Sequence, residues 1–266
     1  MTLNIERVIA KELDARETQI TAAVELLDSG ATVPFISRYR KEITGGLDDT
    51  QLRKLEERLG YLRELEVRRE AVLSSILEQG KLTPELEIAI IAAETKVRLE
   101  DLYLPFKQKR RTKAQIALEA GIEPLADSLI SDPCLEPFDE ALAYINKDEK
   151  FKTAFEDAKG VLDGAKYILM ERFAEDAELL QSIRDFMSHN TVIFSNVVSG
   201  KEKDAAKYRD YFDLRDKFQG IPSHRALAML RGRREGVLQL RIDVVVPDDQ
   251  VHPCISMIGN HFDISH

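Results

Sequence analysis

Residues 50–79 read TQLRKLEERLGYLRELEVRREAVLSSILEQ, a stretch without proline and with Gly60 as its only glycine. Leu52, Leu55, Leu59, Leu62 and Leu65 recur at steps of three and four, which lays them along one helical face and turns Arg and Glu outward. The spacing predicts one long amphipathic helix over 50–79, with Asp48 or Asp49 as its cap and Gly80 as its stop.

The same grammar extends in both directions. Upstream, Leu3, Ile5, Val8, Ile9 and Leu13 keep a helical period, Thr18 is placed to cap a second helix ending at Gly30, and Pro34 opens a short helix carrying Arg38-Tyr39-Arg40, broken at Thr44-Gly45-Gly46. Downstream, Thr83-Pro84 and Thr95 open further helices and Pro105 closes one. Thr112 and Gln115 form a capping-box pattern for a helix ending at Gly121. Residues 138–145, 151–173 and 176–187 read as helices with Phe, Leu, Ile and Met at core spacing. The period changes late: 191–198 and 237–246 are rich in β-branched residues and read as two pairing strands, with a helix over 222–230 between them. The expected fold is essentially all-α with a small two-stranded β appendage.

Composition limits what this fold can do. The 266 residues are 44% hydrophobic and 32% charged, an ordinary balance for a soluble globular chain of one large or two to three small units. No run approaches the ~18 apolar residues of a membrane helix. The first residues carry an early acid and no apolar h-region, so neither a signal peptide nor a membrane partner is expected, and a cytoplasmic location follows. Cys134 and Cys254 are too few for a disulfide framework. His252, Cys254, His261 and His266 lack the short repeated spacing of zinc ligands and are expected to form a solvated tail. No phosphate-binding, dinucleotide, nucleophile-elbow or zincin signature occurs, so no enzyme, metal or cofactor is expected.

Charge segregation supplies the functional candidates. In a chain of net charge −9, Lys107, Lys109, Arg110, Arg111 and Lys113 put five cations into seven residues without an acid. Two smaller clusters behave alike: Arg38, Arg40 and Lys41 around Tyr39, and Arg231, Arg233 and Arg234. Phosphate contacts need Lys and Arg on a shared surface, and Tyr39, Tyr103 and Phe106 lie beside the clusters as potential stacking faces. The competing reading is that these cations pair with local acids and that Leu-Tyr-Leu-Pro-Phe is a buried helix end.

Three blocks, VPFISRYRKEITGGL at 33–47, LEDLYLPFKQKRRTK at 99–113 and GIEPLA at 121–126, resemble the N-terminal region of the bacterial Tex family of transcription accessory proteins. KYRDYF at 207–212 and IPSHRALAMLRGRREGVLQL at 221–240 extend the resemblance over nearly the whole chain. The resemblance implies a helical region formed by 1–36 and 111–235, with a helix-turn-helix-like subdomain inserted over 37–110. Residues 236–266 would be a strand and connector leading toward a ribonuclease-H-like domain. It also implies a longer natural protein with helix-hairpin-helix and OB-type RNA-binding domains that this chain lacks, as a fragment would. Nucleic acid, RNA or DNA, bound without sequence preference, and the transcription machinery are the partners it implies for the full protein. The alternative is a helical scaffold that docks those missing C-terminal domains or a protein partner, with no nucleic-acid binding of its own. The helix from Pro84 to Glu94 has three acids and no base, a poor surface for a DNA groove.

Overall fold

Asp48 begins the longest element of the chain. In the computed structural model, which describes residues 4–107, 110–132, 134–145, 151–247 and 249–264, its carboxylate accepts from Gln51 N at 2.7 Å, while Gln51 Oε1 accepts from Asp48 N at 3.1 Å. This capping box satisfies backbone donors that the first turn leaves unpaired. Helix α4 then runs Asp49–Glu78, one residue off its expected bounds, and Gly80 ends it at φ +67°. Its buried stripe is Leu52, Leu55, Leu59, Leu62, Leu65, Arg69, Val72 and Ile76. Each aliphatic side chain in that stripe contributes about 1.5–3 kcal/mol relative to exposure.

The described residues divide into two compact units, 1–107 and 108–266. In the first, α1 (Ile5–Glu12), α2 (Glu17–Asp28), α3 (Val33–Tyr39), α5 (Pro84–Ala92) and α6 (Lys96–Tyr103) all pack on α4. Thr83 and Thr95 cap α5 and α6 as expected. Thr18 does not cap α2. Arg16 is the N-cap, because Gln19 Oε1 accepts from its backbone N at 3.1 Å, and Thr18 falls inside the first turn.

Ion pairs ride on the outside of α4: Arg58 with Glu12, Arg63 with Asp28, Arg68 with Glu100 and Lys96 with Glu64. Arg69 is different, being 4% exposed within the stripe. Its Nε donates to Ile90 O at 3.1 Å and its Nη2 to Ala93 O at 2.6 Å, so it serves carbonyls at the end of α5 while paired with Glu66. Burial lowers its pKa from the ordinary guanidinium value.

In the second unit, α11 (Ala158–Glu175) is the centre. Helices α7 (Lys113–Glu119), α8 (Glu123–Ser131), α9 (Pro137–Ala141), α10 (Lys152–Phe155) and α12 (Ala177–Asn190) pack on it around Ala117, Ile122, Leu125, Val161 and Ala165. The single helix expected over 151–173 is broken at Asp157, whose extended backbone and side chain, accepting from Gly160 N at 2.7 Å, start α11 afresh.

The expected strands form and pair. β1 (Thr191–Val197) runs antiparallel to β3 (Leu238–Val244), with Ile193 opposite Ile242, and α13 (Ser223–Arg234) lies between them in sequence. The sheet has three strands, however, not two. β2 (Asp213–Lys217) pairs with the other edge of β1, giving the order β2-β1-β3. Its sequence, Asp-Leu-Arg-Asp-Lys, carries no apolar alternation, so hydrophobic period could not reveal it. The C-terminal residues are also more ordered than a solvated tail: α14 (Pro253–His261) is followed by Phe262, whose ring packs 4.5 Å from that of Phe173. Among the described residues no helix is long and apolar enough to cross a membrane.

Two outcomes follow from this packing. Arg69→Met, which removes the guanidinium and leaves Glu66 and two carbonyls without it, should cost about 3–5 kcal/mol in urea unfolding; a loss under about 1 kcal/mol would contradict the role given to Arg69. Hydrogen bonds from Arg63 and Arg68 hold the carboxyls of Asp28 and Glu100 below their ordinary values. A carboxylate so held stabilises the fold fully above its unfolded pKa of about 4, and that contribution disappears as pH falls through the lowered folded value. The urea midpoint should therefore drop between about pH 5 and pH 3, and the drop should shrink in the double variant Asp28→Asn, Glu100→Gln.

Candidate nucleic-acid interface

Helix α3 buries Val33 and Ile36 against its unit and turns the opposite face outward. Phe35 and Tyr39, one turn apart, are 42% and 68% exposed, with ring centroids 5.5 Å apart and tilted by 43°. Arg40 caps α3, its backbone N donating to Ile36 O, and its guanidinium lies 5.5 Å from the Phe35 ring centre. Arg38 and Lys41 are exposed and form no ion pair among the described residues. Between Asp28 and Asp48 the only acid is Glu42.

The turn that follows is held rather than loose. Thr44 is fully buried and Leu47 nearly so. Gln19 of α2 donates through Nε2 to Thr44 O at 3.3 Å and Gly45 O at 2.8 Å. Gly45 sits at φ +60°, and a Cβ there would come within about 3.0 Å of the Gln19 side chain, so glycine permits the contact. Arg38, Arg40 and Lys41 therefore stand on a helix end and turn with fixed backbone.

The longest basic run is more architectural than its charge suggests. The unit boundary falls within it, after the exposed Lys107, and Lys109 lies outside the described residues. Arg110 is exposed. Arg111 pairs with Glu119 across α7, and Lys113 Nζ lies 3.1 Å from Tyr167 Oη and 4.8 Å from its ring centre. Thr112 caps α7, accepting from Gln115 N at 3.0 Å, while its hydroxyl donates to Glu171. Arg231, Arg233 and Arg234 occupy the exposed last turn of α13, where the helix dipole favours cations.

Two expected stacking faces are engaged elsewhere. Tyr103 Oη lies 3.1 Å from Ser75 Oγ with Arg68 over its ring, and Phe106 is half-buried with its carbonyl accepting from Gln79. Phe35, which sequence reasoning passed over, is the exposed ring that neighbours Tyr39; its i, i+4 relation to Tyr39 beside a basic cluster was the available signal. The C-terminal histidines also have partners: His252 Nδ1 accepts from Cys254 N as the cap of α14, and His261 pairs with Asp176 at 3.1 Å. Among the described residues no group of three or more His, Cys, Asp or Glu is arranged to hold a metal ion.

The described residues form a mostly helical chain with one small three-stranded sheet and a cationic, aromatic turn on the surface of its first unit. Sequence comparison identifies its family. A profile described as Tex central region-like matches residues 132–266, and one described as Tex-like protein N-terminal domain matches residues 3–77. The chain belongs to the Tex family. It is 62% identical over 237 residues to Protein YhgF of Escherichia coli (strain K12), across 89% of this chain and 30% of that protein. It is 56% identical over 247 residues to Transcriptional accessory protein Tex of Neisseria gonorrhoeae, across 93% of this chain and 32% of the relative. S1 RNA-binding domain-containing protein 1 of Homo sapiens is 28% identical over 264 residues, 96% of this chain and 26% of that protein. The chain thus spans about a third or less of the length of these relatives.

The Gln19 clamp generates a direct expectation. Gln19→Ala should speed amide exchange at Thr44, Gly45 and Gly46 while lowering global stability by only about 0.5–1.5 kcal/mol; unchanged protection at these amides would show that the turn does not depend on it.

Proposed function

We propose that the chain is a non-enzymatic helical module of a cytoplasmic, Tex-like transcription accessory factor, and that it contributes to nucleic-acid association without reading sequence. The observation that carries this is the end of α3 and the turn after it, where Arg38, Arg40 and Lys41 face solvent with no carboxylate paired to them among the described residues. Phosphates attract such cations through a sequence-independent, salt-sensitive term. The names of two relatives, Transcriptional accessory protein Tex and S1 RNA-binding domain-containing protein 1, support the same reading. Further RNA-binding domains in a longer natural protein would supply most of the affinity, and this module an added contact. Within the longer basic run, Lys107 and Arg110 are exposed, whereas Arg111 and Lys113 already have partners. The helix-turn-helix-like character of 37–110 then serves packing more than base readout, since α5 presents Glu85 and Glu87 in its first turn and Arg69 is turned inward.

A second reading, a scaffold for a protein partner or for the remainder of a longer Tex-like polypeptide, is favoured by one observation. An apolar groove of about 280 Å³ lies between α13 and the sheet, lined by Phe218, Ile221, Leu230, Leu240 and Ile242 with Arg233 beside them.

Anisotropy of labelled nucleic acid with this chain distinguishes the two. Three phosphate contacts predict an affinity that falls about 20- to 40-fold between about 50 mM and about 200 mM salt. Changing Arg38, Arg40 and Lys41 together to Glu should abolish binding without altering the helical circular dichroism. Absence of binding at low salt, or equal loss from Arg231→Glu alone, would leave the scaffold reading.

A further inference from the structure

The cations after α3 account for attraction to any phosphate chain, but not for the two aromatic rings beside them. The buried side of α3 is Val33 and Ile36, and Phe35 and Tyr39 stand outside it. Tyr39, at 68% exposed, has an open ring face, and its neighbour Phe35 is steadied on one side by Arg40. Exposed paired rings next to unpaired cations, with a backbone held by Gln19 and buried Thr44, make a fixed surface with two chemistries: a π-face and a positive rim.

We infer that the α3 turn is a single-strand selector, in which Tyr39 and Phe35 stack unpaired bases while Arg38, Arg40 and Lys41 hold the adjoining phosphates. The inference rests on the phosphate-contact reading above and adds the class of nucleic acid to it. In a duplex the base faces are covered by their neighbours and only phosphates reach the rings' surroundings, so the aromatic contribution is available to a single strand alone. Every base has a π-face, so such a platform prefers single strands without preferring a sequence. Arg adds a stacking plane of its own, which suits Arg38 and Arg40 to the same strand.

The test compares the intact chain's binding to a labelled oligothymidylate about 12 nucleotides long and to a duplex of equal length. The single strand should bind about tenfold more tightly. Tyr39→Ala should remove about that factor for the single strand at both low and moderate salt, leaving the duplex affinity and the salt slope unchanged. Tyr39→Trp should retain the preference, and Lys41→Gln should flatten the salt slope without abolishing it. Tyr39 is largely exposed, so none of its variants should unfold the chain, which circular dichroism checks. Equal affinity for strand and duplex, or an unchanged affinity in Tyr39→Ala, would overturn the selector and leave the phosphate contact standing. Binding to neither at low salt would overturn both. Displacement of the oligothymidylate by polyglutamate at equal charge concentration would also overturn the selector, marking the turn as a dock for acidic protein.

Discussion

Burial of one stripe of α4 is the constraint on which the first unit depends. A 30-residue helix cannot be held by propensity alone, and its apolar face has to find partners on α1, α2, α3, α5 and α6. Those short helices in turn owe their positions to that face. The consequence reaches the surface, because α3 is fixed through Val33 and Ile36, while Leu47 and the Asp48 cap fix the start of α4 only a few residues later. The turn between them has both ends anchored, so its cations and rings are presented with little conformational freedom left to lose on binding. In the second unit α11 plays the comparable part, gathering five shorter helices around its small residues.

Charge in this chain is better understood by partner than by count. The acids outnumber the bases, and many arginines are already engaged: Arg58, Arg63, Arg68 and Arg69 along α4, Arg172 with Glu123 and Asp127, and Arg225 with Asp216. Apart from the buried Arg69, exposed pairs of this kind add little stability individually. What they do is neutralise, so that a cation left unpaired in an acidic chain is distinctive. By that measure the three-residue cluster after α3 is more conspicuous than the five-residue run at 107–113, although the run dominates the sequence.

Much of the helical framework was legible from local chemistry. Asp48, Thr83, Thr95 and Thr112 are caps in the structure for the reason that made them caps on paper, an oxygen placed to accept from an amide two or three residues ahead. Three of the misses, Arg69, β2 and Phe262, share a cause: each depends on a partner distant in sequence. Arg69 looks like a surface residue until the end of α5 arrives over it, and β2 is a strand only because β1 offers it an edge. Phe262 becomes a packing residue only beside Phe173. The candidate site was half legible. Charge and Tyr39 marked the place, but Phe35 needed the exposure that only the fold supplies, and the engagement of Arg111 and Lys113 could not be read from a run of like charges.

The polarity that concealed β2 has a use of its own. A three-stranded sheet in a helical protein has open edges, and an open edge is a template for another chain's backbone. On β2 the exposed side chains are Asp213, Arg215 and Lys217, alternating with half-buried Leu214 and Asp216. A strand approaching that edge would have to bring its own side chains against a row of mixed charge and strip the water from it. The sheet therefore ends at β2 by composition, with an edge that disfavours pairing by another strand.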